Sequence, residues 1–351
     1  MIALPATQVS ASSVHVHHVT DLERGRIGTV VDKLLRQFGS VESAEFADAC
    51  SLAVAELPRS LRELAHRFKY LHLRCGSVLL QGLPVDDQRI GDSPPHWDAP
   101  WRNPPALREE IMQCVLAALL GEIFGWKTQE NGRFLRHIVP IERDSREQLG
   151  GSSTVALAWH NEEAFHAHRC DFLALLSYRN DEAAHTTLAC VDDIVIDDDH
   201  WEVLSAPRFI VFPDKSHLPE QNVSEHWRMD DGAFARIRAM YADPAPVPVL
   251  TGPRNRPFIQ VDEAFMTAVP GDEEAARGYA WLIDQFNRNQ TSIVMGPGDM
   301  LWIDNKRTVH GRAVYQPFYG PRQRWLRRVN VTLHLRESLA YRESALARQI
   351  V

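Results

Sequence analysis

The 351-residue chain lacks any apolar run that approaches the roughly 20 residues needed to span a bilayer, which argues against a transmembrane protein. Its N-terminus has neither a basic segment nor a long apolar core, so no secretory signal is expected. The chain also lacks internal repeats and low-complexity tracts. These absences argue against membrane-spanning, secreted and repeat proteins, and they favour a globular protein of the cytoplasm.

Cysteine is scarce and shows no pairing pattern. The five cysteines, an odd number, are scattered and never form a Cys-x-x-Cys motif: Cys50, Cys75, Cys114, Cys170 and Cys190. This distribution fits free thiols in a reducing cytosol. It argues against a disulfide framework and against a thiolate zinc site.

Basic charge is in deficit as well. Lys and Arg number 38 against 46 Asp and Glu, and the formal net charge is -8. A diffuse acidic balance argues against nucleic acid or an anionic membrane as partner. The hydrophobic and charged fractions, 44% and 24%, are ordinary for a globular protein, and the length suffices for a sizeable core. Nothing in the sequence specifies an oligomeric state.

Helical patterns dominate the first part of the chain. Apolar residues recur at helical spacing within residues 21–70, and again from Leu107 to Phe124. Between them, residues 76–84 read as a buried strand closed by a turn. Residues 1–75 are therefore predicted to form a helical region that packs on a core.

Strand patterns dominate the remainder. From about Phe134 onward, short β-like runs alternate with turn residues, and one helical insert is expected near residues 272–287. Many short strands after a helical preface are typical of a double-sheet jelly roll with helices outside it. The predicted fold is mainly β with flanking helices, with a core at residues 76–340 and a C-terminal tail at residues 341–351.

Two distant segments carry the residues that suggest chemistry. His160 and Glu162 are two apart at the end of the strand-like run 154–159, and residues i and i+2 of a strand point to the same face. His310 follows the predicted strand 298–304 in a polar segment, and a jelly roll brings distant strands together. We call His160, Glu162 and His310 the metal triad.

The metal triad has the donor set of a site with open coordination positions. Two histidines and one carboxylate on one face are typical of non-haem Fe(II) oxygenases. Zinc takes the same donors in hydrolases, so both chemistries stay open. Sixteen histidines make a His-x-Glu match weak evidence alone. His166 and His168 offer a second pair, but their segment reads as a loop and predicts surface or supporting groups.

A basic segment lies beyond His310. Arg324 opens a strand-like run, and Arg328 shares its face because it is four residues further on. A guanidinium pairs bidentately with a carboxylate, which makes both residues candidates for anion binding. The alternative is a solvated basic edge strand, since other arginines flank them.

These segments together resemble a known family. His160-x-Glu162, Val309-His310-Gly311-Arg312 and Arg324-Trp325-Leu326 are similar to the clavaminate-synthase-like Fe(II)/2-oxoglutarate oxygenases, and the similarity runs over about residues 75–335. The branch it most resembles hydroxylates free amino acids such as arginine, asparagine and citrulline. The resemblance implies a double-stranded β-helix, in agreement with the jelly roll, and a role in specialised-metabolite or antibiotic biosynthesis.

The resemblance implies cofactors and the residues that hold them. The metal triad resembles the iron ligands, and Arg324 the residue that holds the C5 carboxylate of 2-oxoglutarate. A threonine assists that carboxylate in the family, and Thr186 and Thr187 both lie at the corresponding distance along the chain. Adjacent strand residues face opposite ways, so only one serves, and Thr187 is preferred. The implied cofactors are Fe(II), 2-oxoglutarate and O₂, with ascorbate as an aid in vitro.

The resemblance also implies an amino-acid substrate. Arg328 resembles the residue that holds the α-carboxylate, Gln129 a contact to the amino-acid head, and Glu162 reaches the α-amino group. Asp262 falls where arginine hydroxylases place a carboxylate against the guanidinium, but their second aspartate is Ala264 here. A citrulline-like ureido group has the same shape without the charge. The expected substrate is therefore a ureido or guanidino amino acid, hydroxylated at C3 or C4, with Asp262 as an ordinary turn residue the equal alternative.

Three other functions compete with this one. A zinc hydrolase with the same triad predicts no oxygen consumption and no need for Arg324. A non-catalytic jelly-roll binding module predicts no bound metal. A taurine-dioxygenase-like enzyme that acts on another small acid keeps the cofactors and changes the substrate. Gln129, Asp262 and Arg328 favour the amino acid.

Overall fold

The computed structural model describes residues 14–98, 104–151, 153–224 and 231–351. The helices are α1 Asp21–Leu35, α2 Ala44–Ala53, α3 Arg59–Lys69, α4 Leu107–Ala118, α5 Asp198–Ser205, α6 Asp231–Ala242 and α7 Glu273–Arg288. The strands are β1 Val14–His18, β2 Ser77–Gln81, β3 Glu122–Trp126, β4 Leu135–Ile138, β5 Leu157–His160, β6 Phe172–Arg179, β7 His185–Cys190, β8 Phe209–Val211, β9 Leu250–Thr251, β10 Phe258–Ile259, β11 Met266–Ala268, β12 Thr291–Val294, β13 Met300–Asp304, β14 Thr308–Arg312, β15 Trp325–Thr332 and β16 Gln349–Ile350.

Two sheets form the centre of the fold. The larger has the order β1-β2-β13-β6-β15-β3-β16, with β4 also paired to β15. The smaller has the order β12-β7-β14-β5. Strands far apart in sequence therefore lie side by side in both sheets, and the protein is mainly β with flanking helices, as predicted.

The larger sheet is buried on both faces. Along β6, Ala174 and Leu176 belong to the core shared with helices α1 to α4, while Leu173 and Leu175 point the other way. The second pair packs with Leu188 of β7 in the smaller sheet. Because strand residues alternate between faces, the helices cover one face of the larger sheet and the smaller sheet covers the other.

The outer face of the smaller sheet is covered by α5 and α7. Val309 of β14 packs there with Leu204 of α5 and with Leu282 and Phe286 of α7. The predicted insert at residues 272–287 is this α7. No helix among the described residues combines the length and the apolar character needed to cross a bilayer.

One predicted helix is wrong in its second half. The sequence predicts a helix from Leu107 to Phe124, whereas α4 ends at Ala118 and β3 follows. At Gly121 the backbone passes so close to β15 that a Cβ would lie 2.6 Å from the Thr332 carbonyl oxygen. Strand β3 then pairs with β15 and β16. An apolar run alone does not distinguish a buried helix from a buried strand.

Both ends of the described chain join the larger sheet. Strand β1 pairs in parallel with β2, and β16 pairs in parallel with β3. The range 1–75 therefore contributes a strand as well as the helices α1 to α3, and residues 1–13 lie outside the described part. The division into residues 1–75, 76–340 and 341–351 stays a prediction.

Candidate metal centre and substrate pocket

Strand pairing in the smaller sheet brings the metal triad together. His160 is the last residue of β5, and its register partner across the sheet is His310 of β14. The sequence predicts a polar segment around His310, but the residue lies in a fully buried strand. Glu162 lies just after β5 rather than on it, so its direction comes from the loop and not from strand alternation.

The three side chains converge on one point. The Nε2 atoms of His310 and His160 lie 3.5 and 3.9 Å from Oε2 of Glu162. One ligand atom from each residue fits within 4.8 Å of the others, and no other described residues form such a group. Oε2 of Glu162 is buried and has no hydrogen-bond partner among the described residues. This donor set and spacing suit a divalent metal ion.

The protonation states also suit metal binding. Nδ1 of His160 donates to the Ala158 carbonyl oxygen at 2.9 Å, so the Nε2 lone pair is available. Burial, and then the charge of His310, lower the pKa of His160 to about 4, which keeps the ring neutral at pH 7. Burial opposes ionisation of Glu162, but Arg328 and the two histidines outweigh it and hold its pKa well below the usual range.

His166 and His168 do not belong to this group. His166 is buried, with Nε2 3.2 Å from the Val351 carbonyl oxygen and its ring against Trp126. His168 packs on Tyr341. Of the two alternatives, surface or supporting group, the buried position of His166 excludes the first.

A cationic end of the pocket lies beside His310. Arg324 is 4% exposed, and no described carboxylate lies within ion-pair distance of its guanidinium, although Glu182 lies near enough to stabilise its charge. It lies over the Tyr315 ring, and burial lowers its pKa. Arg312 of β14 lines the same cavity. A buried guanidinium without a carboxylate partner carries a high desolvation cost, which a bound anion offsets.

The register of β7 corrects the choice between the two threonines. Arg312 is paired with Thr186, whereas Thr187 is paired with Gly311 on the opposite face. Thr186 is buried and lines the cavity, and Thr187 does not line it. The preference for Thr187 is therefore wrong, because which of two adjacent residues faces inward depends on the register with β14.

Two arginines that are paired across neighbouring strands line the cavity near Glu162. Arg328 of β15 is paired with Arg136 of β4. One Arg328 amino group donates to Oε1 of Glu162, and the other to Oε1 of Glu163 at 3.4 Å. Gln129 accepts from Arg136 at 2.5 Å and does not line the cavity. The Gln129 side chain thus lies against Arg136, and its contact to the amino-acid head stays a prediction.

The far end of the pocket is acidic. Asp262 forms a β-bridge with His160 and lines the cavity, and its Oδ1 accepts from the backbone N–H groups of Ala264 and Phe265 at 3.1 and 3.0 Å. It is thus a turn residue and a cavity residue at once. Burial, and then the Asp214 carboxylate, raise its pKa well above the usual range.

Asp214 also lines this cavity, and sequence reasoning missed it. Its side chain caps the short 3₁₀ turn Lys215–His217, with Oδ1 2.7 Å from the Ser216 backbone nitrogen. An Asp followed two residues later by Ser is an ordinary turn signal, and 48 residues separate Asp214 from Asp262. No local sequence pattern predicted that Asp214 and Asp262 line the same cavity.

Comparison with known proteins bears on this site. The family model described as "Taurine catabolism dioxygenase TauD, TfdA family" matches residues 217–330. Enduracididine beta-hydroxylase of Streptomyces hygroscopicus is 34% identical over 342 residues, or 95% of this chain and 98% of that protein. L-ornithine/L-arginine 3-hydroxylase of Catenulispora acidiphila is 32% identical over 325 residues, or 90% and 94%.

A solved structure matches most of the chain. The non-heme iron oxygenase OrfP, in complex with Fe, succinate and (3S)-hydroxy-L-Arg, has 34% sequence identity and a TM-score of 0.89 over 96% of this chain and 99% of that chain. OrfP with Fe and alpha-ketoglutaric acid has 31% identity and a TM-score of 0.83 over 96% and 100%. The chain belongs to the TauD/TfdA family and is a non-haem iron, 2-oxoglutarate-dependent dioxygenase.

Proposed function

We propose that this enzyme hydroxylates a free L-amino acid whose side chain ends in a guanidino or ureido group, at C3 or C4, in specialised-metabolite biosynthesis. The observation that carries the proposal is the polarity of one cavity. Arg324, the metal triad, Asp262 and Asp214 all line it. Asp262 forms a β-bridge with His160 of β5, whereas Thr186 of β7 lies on the other side of β14. The two relatives named for hydroxylation of enduracididine and of ornithine or arginine support this substrate class.

In this proposal the two facing sheets are the halves of a double-stranded β-helix. The metal triad lies at the inner side of the smaller sheet, and Leu175 and Leu326 of the larger sheet line the same cavity. The buried, unpaired state of all five cysteines supports a cytoplasmic location.

The residues divide the cavity into three binding roles. Bound iron and 2-oxoglutarate supply the oxidation that inserts one oxygen atom of O₂ into a C–H bond, with succinate and carbon dioxide as co-products. Arg324, with Thr186, holds the distal carboxylate of 2-oxoglutarate. Arg328, with Arg136 across the strand pair, holds the α-carboxylate of the amino acid. Glu162 would reach the α-amino group through Oε1, the oxygen that Arg328 contacts.

Clamping the amino acid at both ends selects the carbon that is oxidised. Two arginines hold the α-carboxylate of the amino acid, and carboxylates hold the far end of its side chain. The carbon atoms between these two ends then lie opposite the metal triad. Holding reactants in this way accounts for much of an enzyme's rate, since orientation replaces a chance encounter. The chain itself therefore contributes orientation and the exclusion of water, while the cofactors contribute the oxidation.

Asp214 favours a guanidino over a ureido tail. Burial, and then the charge of the Asp214 carboxylate, raise the pKa of Asp262, so a second negative charge is unfavourable at this site. A guanidinium between the two carboxylates relieves the repulsion and pairs with both, whereas a neutral ureido group does neither. Ala264 removes one carboxylate relative to arginine hydroxylases, and Asp214 brings another from a different segment.

The test is a panel of amino acids mixed anaerobically with enzyme, Fe(II) and 2-oxoglutarate, followed by O₂. We expect succinate release coupled to a product heavier by one oxygen atom, with arginine ahead of citrulline, and with ornithine, asparagine and lysine behind both. Turnover of a sulfonate or another small acid in preference to every amino acid would support a taurine-dioxygenase-like enzyme instead. Hydrolysis without oxygen consumption would support the zinc enzyme.

Removal of either tail carboxylate should change selectivity. In Asp262→Asn or Asp214→Asn, kcat/KM for arginine should fall about 10- to 100-fold, which corresponds to the loss of one charge-assisted hydrogen bond. The kcat/KM for citrulline should fall less. Steady-state kinetics on both amino acids measures the ratio. Glu263→Gln is the matched control, since it removes the same charge from an exposed neighbour of Asp262. Equal losses for both substrates would remove these carboxylates from tail recognition.

A further inference from the structure

Two buried asparagines hold the backbone around the metal triad: Asn305 bonds to Glu162 itself, and Asn161 bonds to neighbouring segments. Asn161 stands between His160 and Glu162, and Asn305 lies in the turn between β13 and β14. Their exposures are 1% and 0%. A buried carboxamide is costly unless its donors and acceptor are paired, so the partners of these side chains are strongly determined.

Asn305 holds both peptide groups that flank the Cα of Glu162. The Glu162 N–H donates to Oδ1 at 2.8 Å, and Nδ2 donates to the Glu162 carbonyl oxygen at 3.1 Å. Nδ2 also donates to the Cys170 carbonyl oxygen at 3.0 Å. The two bonds to one residue copy the pairing between strands. They fix the direction in which the Glu162 side chain leaves a loop that no strand supports.

Asn161 joins three segments of the site. Its Nδ2 donates to the carbonyl oxygens of Asn305 and Thr308 at 2.8 and 3.0 Å, and its Oδ1 accepts from the Val261 N–H at 2.9 Å. Thr308 lies two residues before His310 in β14, and Val261 immediately precedes the tail carboxylate Asp262. One buried side chain thus connects the first ligand segment, the strand of the third ligand and the substrate-tail segment.

We infer that Asn161 and Asn305 are positioning residues, which preorganise the metal triad and keep it in register with Asp262. The inference rests on the proposed metal and tail sites. Asn305 sets the place of the Glu162 carboxylate relative to the two histidines. Asn161 sets the distance between the metal triad and the Asp262 carboxylate, which receives the substrate tail. It therefore affects how accurately the substrate is aligned with the metal.

The first test is metal affinity in the folded, metal-free protein, with Co(II) as the probe and its visible absorption as the readout. In Asn305→Ala the affinity should fall about 10- to 100-fold, the range seen for residues that orient metal ligands. Asn305→Asp keeps an acceptor for the Glu162 N–H but turns its second oxygen toward the carbonyl oxygens of Glu162 and Cys170, so it should not restore the affinity. In Asn161→Ala we also expect more succinate released per hydroxylated product and a raised KM for the amino acid.

Asn180 provides a matched control for general destabilisation. It is also buried, and it makes three comparable bonds: Nδ2 to the carbonyl oxygens of Ala184 and Met295, both 3.1 Å, and Oδ1 from the Ala184 N–H, 3.0 Å. Asn180→Ala should lower the melting temperature and leave Co(II) affinity unchanged. If Asn305→Ala and Asn161→Ala behave in the same way as Asn180→Ala, the positioning role is refuted.

Hydrogen exchange on the unmodified enzyme tests the same inference without any variant. The amide of Glu162 should be protected in the metal-free protein, because its acceptor Asn305 is already in place. Rapid exchange that slows only after metal binding would overturn the preorganisation. Neither metal titration nor exchange uses an amino-acid substrate, so a negative result here is distinct from failure of the guanidino proposal.

Discussion

The His310→Ala variant is expected to lose O₂-dependent turnover of 2-oxoglutarate. His310 supplies one of three converging donors, with Nε2 3.5 Å from Oε2 of Glu162, and two donors do not hold the metal in a defined geometry. The loss should exceed about 100-fold, since even residues that only orient ligands are worth about 10- to 100-fold in metal affinity. His160→Ala should behave alike. Succinate formation and Co(II) titration measure the two consequences.

His168→Ala is the control for this prediction. His168 lies eight residues after His160 and packs on Tyr341, outside the metal triad. It should retain wild-type metal affinity and turnover. Near-normal activity of His310→Ala, with His168→Ala also active, would exclude the triad as the metal site and reopen the hydrolase and binding-module alternatives.

The Arg324→Gln variant should raise the KM for 2-oxoglutarate about 30-fold or more, because truncating one partner of a buried charge pair typically costs about 2–5 kcal/mol. The metal-free protein should not lose stability. Arg324 is buried without an ion pair, so replacement by a neutral side chain removes a desolvated charge. Steady-state kinetics in 2-oxoglutarate and a melting curve of the metal-free protein measure the two effects.

Arg322→Gln is the matched control, two residues earlier in the chain. Arg322 is half exposed and pairs with Asp87 at 2.5 Å, so its loss should change neither KM nor the melting temperature measurably. A melting temperature that falls in Arg324→Gln without any change in KM would identify Arg324 as a structural cation and remove it from cofactor binding.

Spacing within short segments carried most of the sequence-based prediction. His-x-Glu, the later histidine and Arg324 pointed to an iron and 2-oxoglutarate site, and the family membership agrees with that class. The short strands expected from about Phe134 onward are present, because buried apolar runs bounded by turns are local signals. The helical insert expected near residues 272–287 is present as α7.

The sequence could not predict which of two adjacent residues faces the cavity, because that depends on the pairing register of the strands. Thr186 rather than Thr187 faces the cavity because β7 pairs with β14 in one register and not the next. A shift of one residue would reverse the two faces, and no local pattern reports such a shift. The hydrogen bond between Gln129 and Arg136 was likewise not predicted, because no local pattern pairs these two side chains.

The sequence by itself determined which chemical groups the enzyme has: two histidines, a carboxylate and a cation in segments that resemble one oxygenase family. Only the tertiary structure decided which polar groups meet. Asp214 reaches the tail site across 48 residues, and Asn305 reaches Glu162 across 143. Local backbone periodicity determines which nearby side chains share a face. The contacts made by Asp214 and Asn305 instead follow from the packing of two sheets whose neighbouring strands are distant in the chain.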